Sequence, residues 1–272
     1  MKLLLSLTIT IVLTAPLLAQ TPAPVLSAAE AQARQELNEA ARAYREGRFA
    51  EAQAHSERAL LLDPQNKTAP MFVARTIHAQ YKPKDFTPEN IAKGREAILA
   101  YKRILERSPG NDEAYKAIAY LYGAVKEDQL EREWIHRRAW DVSVANEKRA
   151  EAFVVLASKD WDCSFKITEL PAQKIVIVAG NSNKATTRYK MPRDRVEFEQ
   201  AEECANRGLE MANMAITLAP ENESAWTYKA NVLLELSKLA EMLGESKREL
   251  LRQYEEALNE ATKLSNRSQP KP

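Results

Sequence analysis

The sequence predicts an all-α chain, a stack of about five helical hairpins with one small β-hairpin inserted near residues 174–190. Three observations carry this. The phrase Pro-x-Asn-x-x-Ala occurs at Pro64, Pro109 and Pro220, each time directly after an apolar helical stretch. Pro cannot continue a helix and Asn favours turns, so the phrase closes one helix while its Ala opens the next, packed closely against it. The composition has only seven Gly and is rich in Ala, Leu, Glu and Arg, which favours helix. One stretch breaks the pattern: Lys174-Ile-Val-Ile-Val178 and Ala185-Thr-Thr-Arg-Tyr-Lys190 are β-rich runs on either side of the turn chemistry of Gly180-Asn-Ser-Asn183.

Taken in order, residues 1–19 hold Lys2, an apolar run from Leu3 to Leu18 and then Ala19, with Leu17 two places before it. They read as a secretory signal peptide cut after Ala19, which predicts an exported chain, periplasmic or secreted. Gln20 stands where a bacterial lipoprotein would carry the acylated Cys. The alternative is an uncleaved anchor, but Pro16 and the shortness of the run fit a removed segment better than a membrane span. Residues 20–27 form a Pro-containing linker, 28–264 the helical domain with its insertion at 166–194, and 265–272 a polar tail with two prolines that is expected to be disordered.

Without Lys2 the basic count falls from 39 to 38, matching the 38 acidic residues, so the processed chain carries no formal net charge. Nucleic-acid binding needs a dense basic face that releases counterions, and no Lys/Arg run here is longer than a pair such as Arg137-Arg138. That class is excluded. About 250 processed residues suffice for a sizeable core.

The first hairpin is read as Ala28 to Glu46, a turn at Gly47-Arg48, then Phe49 to Leu62. Here the chain resembles the tetratricopeptide-repeat (TPR) family, whose repeat of about 34 residues is a helix-turn-helix with small residues where the helices touch. Gly47, Phe49, Ala52, Ala59 and Pro64 fall on the family's turn Gly, aromatic, small, small and terminal Pro positions. Pro64 to Pro109 spans 45 residues, about eleven more than one repeat. The surplus falls at Tyr81 to Ile91, with Pro83 and Pro88, after which Ala97, Tyr101 and Pro109 regain the frame. In the third repeat Tyr115, Ile118, Ala119 and Tyr122 match, whereas the second helix, Gln129 to Val144, puts Glu131 and Arg138 where the family uses Ala. The fourth starts at Phe153, Leu156 and Ala157 and reaches Ala215 and Pro220 across the long insertion; the fifth holds Trp226, Ala230, Leu250, Tyr254 and Ala257.

An exported chain with an even cysteine count is a candidate for a disulfide, and Cys163 and Cys204 are the two cysteines here. In the repeat frame they sit at the end of the first helix and the start of the second helix of the fourth hairpin, where a bridge would staple the base of the insertion. The alternative is two buried thiols. His55, His78 and His136 lack ligand spacing, so neither a metal nor a cofactor is expected. Asp160 and Asp162 stand at i and i+2 of a helix and point apart. No G-x-S-x-G, P-loop or G-x-G-x-x-G motif occurs, so enzyme chemistry has no motif to rest on. Asn66-Lys-Thr68 and Asn222-Glu-Ser224 match the glycosylation pattern, as does Asn266-Arg-Ser268; the first two are better read as a turn Asn followed by a helix-capping hydroxyl. Trp134, Trp140, Trp161 and Trp226 read as core.

The TPR resemblance implies a concave groove lined by first-helix residues. In the frame these are Leu37, Ala41, Tyr44 and Arg45; Met71, Arg75 and His78; Lys116 and Tyr120; and Thr227, Asn231 and Glu235. The mixture of apolar, aromatic and cationic groups suits an extended peptide or a partner helix. The carboxylate clamp of chaperone-tail binders is not carried over, because Leu37 and Ala41 replace its polar residues. The expected function is a non-enzymatic protein-interaction scaffold of a bacterial cell envelope, with a protein or peptide partner. The alternative is a periplasmic carrier that holds a glycan or lipid between the β-hairpin and the stack.

Overall fold

The computed structural model describes residues 26–178 and 185–268. The expected signal peptide, nearly all of the 20–27 linker, the Gly180–Asn183 turn and residues 269–272 lie outside the described residues. Among those described, ten α-helices and one two-stranded sheet follow in the order α1 (Ala28–Arg45), α2 (Phe49–Leu62), α3 (Ala69–His78), α4 (Pro88–Arg107), α5 (Asp112–Ala124), α6 (Asp128–Trp140), α7 (Asn146–Thr168), β1 (Lys174–Val178), β2 (Ala185–Tyr189), α8 (Arg195–Leu218), α9 (Glu223–Leu243) and α10 (Arg248–Ser268). The fold is all-α and TPR-like, with five helical hairpins and a β-hairpin insertion. The described residues divide into two compact units, one up to Ala69 and the other from Pro70 on.

In the first unit a capping box starts α1. Ser27 Oγ accepts from the Glu30 N–H at 3.2 Å, and Glu30 Oε2 accepts from the Ser27 N–H at 2.7 Å. Gly47 takes the turn with φ +77°, a left-handed conformation that suits glycine. Ala33, Ala40, Ala43, Ala52 and Ala59 are all 0–1 % exposed, so the two helices meet through methyl groups.

The second unit repeats the device with larger side chains. Ala97, Ala157 and Ala230 are 0–1 % exposed. Around them Ile77, Tyr81, Tyr101, Ile118 and Leu121 fill the core of α3 to α5. Phe153, Leu156, Met211 and Ala215 fill that of α7 and α8. At the C-terminal end Leu233, Leu250 and Tyr254 join α9 to α10. Glycine marks a close approach of α7, α8 and α9: a Cβ on Gly208 would lie 3.1 Å from Val232 Cγ2 and 3.3 Å from Asp160 Cβ.

The repeated phrase has one physical cause. In each copy the Asn Oδ1 accepts from the N–H of the Ala three residues on, at 2.9 Å for Asn66, 2.9 Å for Asn111 and 3.2 Å for Asn222. Asn111 and Asn222 are therefore themselves the N-caps of α5 and α9, and the expected hydroxyl cap Ser224 is not the N-cap of α9. The surplus between α3 and α4 is held by Asn90, 8 % exposed. Its amide donates to the Lys82 and Asp85 carbonyls at 2.8 and 2.6 Å and accepts from the Lys82 N–H at 2.8 Å.

Two expected boundaries change. Helix α6 stops at Trp140 rather than Val144, because Asp141 Oδ1 accepts from the Ser143 N–H and hydroxyl and turns the chain. Helix α10 runs on to Ser268, so residues 265–268 of the expected loose tail are helical. The apolar stripe through Leu250, Tyr254, Ala257, Ala261 and Leu264 keeps the helical period, and no breaker precedes Pro270.

The insertion is an antiparallel pair in which Lys174 faces Tyr189 and Val178 faces Ala185. At its foot, the Tyr189 hydroxyl donates to Glu169 Oε1 at 3.0 Å, and Lys238 Nζ donates to Glu169 at 2.6 Å and to Glu235 at 2.5 Å. Thr168 Oγ1 donates to Glu235 Oε2 at 2.5 Å, and Lys174 pairs with Glu169. Glu235 is 1 % exposed and Lys238 6 %. The expected groove position of Glu235 is thus corrected: the side chain lies inside, where the Lys238 ammonium and the Thr168 hydroxyl compensate the cost of burying its carboxylate. Cys163 of α7 and Cys204 of α8 form a disulfide, with Cα atoms 6.0 Å apart.

Candidate functional site

The sequence-predicted groove residues of the second unit fall on the first helices of its hairpins. Arg75 of α3 places its guanidinium on the Glu113 carboxylate of α5 with two contacts of 2.6 Å. His78 of α3 stacks on Tyr120 of α5, with ring centroids 5.7 Å apart and planes at 30°, and meets Tyr101 edge-on. Burial lowers the His78 pKa, so the ring is held neutral. Lys116 of α5 reaches Asp112 on its own helix and Glu151 of α7, both at 3.0 Å. Its pKa is raised, chiefly by the Glu151 contact. Asp112 is held at about 2: burial pushes it up, but Lys116, Lys148 and Arg138 together outweigh that.

At the centre of this face Tyr120 is 51 % exposed. Arg75, His78, Lys116 and Tyr120 are brought together here. Met71 is half-buried against the core of α3 to α5. Asn231 sits half-buried on α9, on the same helix as the buried Glu235. In the first unit Tyr44, 37 % exposed, packs edge-on to Phe49 at 5.2 Å, and Arg45 is exposed.

A second feature escaped the sequence reading. A cleft of about 410 Å³ opens between the α4–α5 and α6–α7 connections, lined by Pro109, Tyr115, Trp134, Arg137, Val144 and Lys148 among others. The Tyr115 ring is stacked on Trp134 at 5.6 Å and has the Arg138 guanidinium 3.9 Å from its centroid. Burial raises the Tyr115 pKa, and its hydroxyl has no hydrogen-bond partner among the described residues. Trp134 and Pro109 had read as core and as a turn, and the aromatic pair lies 19 residues apart in sequence, so no local pattern announced a cleft. Trp140, also read as core, is 42 % exposed.

Asp160 and Asp162 do point apart. Asp160 is 1 % exposed and accepts from Arg132 at 2.9 Å and Arg207 at 3.4 Å, whereas Asp162 pairs with Lys166 at 2.5 Å on the outside. Among the described residues no group of three His, Cys, Asp or Glu could hold a metal ion, and no helix is long and apolar enough to cross a membrane.

These features define a TPR-like helical repeat protein with an exposed aromatic face on consecutive first helices. No protein-family model and no curated protein matches the chain. Among solved structures it is similar to residues 41 to the end of MamA from Desulfovibrio magneticus RS-1, with 11 % identity, TM-score 0.45, and coverage of 88 % of this chain and 98 % of that one. A second MamA crystal structure shows 12 % identity, TM-score 0.46 and coverage of 89 % and 98 %. A tetratricopeptide repeat protein from Parabacteroides merdae ATCC 43184 shows 15 % identity, TM-score 0.37 and coverage of 89 % and 95 %. The fold assignment rests on the packing of the hairpins themselves.

Proposed function

We propose that the chain is a non-enzymatic protein-interaction scaffold of the bacterial cell envelope, capturing a peptide or helix of a partner protein on the α3–α5–α7 face. One observation carries the reading: Tyr120 is half exposed yet already stacked on His78, and ion pairs of Arg75 with Glu113 and Lys116 with Glu151 hold its surroundings in place. An aromatic anchor fixed before binding loses little conformational freedom on contact, and Tyr and Arg dominate interface energetics. The partner supplies an apolar side chain for the Tyr120 ring and polar groups for the flanking charges.

The carrier alternative gains no such support. The space at the foot of the hairpin is filled by Lys238, Glu235, Glu169 and Tyr189, which form a charged network rather than an apolar cavity.

The test is affinity capture from a periplasmic extract with quantification of each recovered protein, comparing wild type with the Arg75→Ala/Tyr120→Ala chain and, separately, Tyr44→Ala. The double variant should recover the partner at least about tenfold less well, as truncating hot-spot residues does, with unchanged helicity. Capture undiminished by the double variant sinks the assignment of this face.

A further inference from the structure

The β-hairpin carries three consecutive exposed apolar side chains on one short strand. Ile175, Val176 and Ile177 are 46, 62 and 45 % exposed. The pairing register puts Ile175 and Ile177 on one face of the ribbon with Thr186 and Arg188, and Val176 on the other with Thr187. Apolar β-branched side chains therefore leave both faces at once. From Lys174 to Arg193 the sequence contains no Asp or Glu. Among the described residues Arg188 on β2, and Lys190 and Arg193 just beyond its end, are exposed and form no ion pair. The full chain has a formal charge of only +1, so this cationic character is local to the ribbon.

We propose that the hairpin docks on the surface of a bilayer containing anionic phospholipids, its three apolar side chains entering the headgroup boundary and its three free cations meeting phosphate groups. Two-sidedness decides between a bilayer and an acidic protein. A folded partner covers one face of a ribbon, whereas immersion at a lipid interface covers both. A two-stranded ribbon also keeps unpaired N–H and C=O groups along its outer edges. Those groups need water, which limits entry to the hydrated headgroup region and excludes the hydrocarbon core. The foot anchored on Glu169 and Lys238 transmits the attachment to the helices.

The experiment is partition of the full chain onto vesicles of phosphatidylcholine alone and of phosphatidylcholine mixed with phosphatidylglycerol, read by co-sedimentation at low and high salt. Lys2 and the apolar run from Leu3 to Leu18 are the same in wild type and variants, so the difference between their ratios isolates the ribbon. Wild type should favour the anionic vesicles by at least about tenfold at low salt and lose that preference at high salt. Arg188→Glu/Lys190→Glu/Arg193→Glu should bring the ratio to about one. Val176→Asn, at the most exposed of the apolar positions and thus harmless to folding, should weaken binding to the anionic vesicles while the helical circular dichroism stays unchanged. A wild-type ratio near one, or a charge-reversed chain that keeps the wild-type ratio, overturns the proposal and returns the ribbon to a protein partner or a second copy of the chain.

Discussion

The Tyr189 hydroxyl donates to Glu169 Oε1 at 3.0 Å, tying strand β2 to the residue that ends α7. Burial alone would raise the Glu169 pKa, but Lys174, Lys238 and Tyr189 together hold it at about 2, while burial and then the same contact push Tyr189 up to about 12. A carboxylate depressed in the folded state contributes stability above its unfolded pKa and loses it as pH falls through the folded value. The affected window runs from 4.5 down to about 2. Glu169→Gln should be less stable than wild type at neutral pH, and the gap should close across that window in urea titrations at stepped pH. A gap independent of pH would mean that the charge of Glu169 contributes nothing.

Reduction of the Cys163–Cys204 bridge, whose ends are 41 residues apart, should lower unfolding free energy by up to about 4 kcal/mol through the released chain entropy. The urea midpoint with and without thiol reports it. Helicity in native buffer should persist, because Phe153, Leu156 and Met211 still pack α7 on α8.

Asn111→Ala and Asn222→Ala should each cost about 1 kcal/mol, the usual value of a lost cap. Ser224→Ala should stay within about 0.5 kcal/mol, because Asn222 and not this hydroxyl is the N-cap. Thermal melts of the three variants separate the two readings of the turn.

Gly94→Ala places a Cβ 2.6 Å from Val125 Cγ1 and 3.2 Å from the Tyr81 ring. Overpacking of this kind costs about 1–3 kcal/mol, which exceeds the gain of about 1 kcal/mol in helix propensity. The melting temperature should fall. Gly110→Ala, with nothing within 4 Å of the new methyl, is the control and should leave it nearly unchanged.

The hairpin frame was legible because its determinants are local. A cap Asn and its Ala are three residues apart, so the same bond is written into each copy of the phrase. The cysteine pair was legible from the even count, and the frame sharpened it by bringing the base of the insertion together. At Glu131 and Arg138 the frame expected small residues, and the structure moves the smallness to the facing helix: a Cβ on Gly123 would meet Glu131 Oε2 at 2.7 Å. Arg138 finds its place over the Tyr115 ring, 3.9 Å from its centroid, and bonded to Asp112 at 2.6 Å.

What was not legible depends on pairs distant in sequence. Glu235 read as a surface position because its i+3 neighbour Lys238 gave no hint that Thr168, 67 residues earlier, would close over it. The face around Tyr120 was placed by the family resemblance, but the stacking on His78 that fixes it joins two separate hairpins. The aromatic cleft at Tyr115 and Trp134 likewise forms between connections that no short motif links.

The sulfur–sulfur bond between Cys163 and Cys204 makes a covalent ring of everything from Ser164 to Glu203, including the protruding ribbon. A protease that cuts this ribbon once therefore does not divide the molecule. The nicked product travels as one full-length band on a gel without thiol and parts into two fragments when thiol is added, so the part of the chain best placed to meet the outside world is also the part that survives being severed.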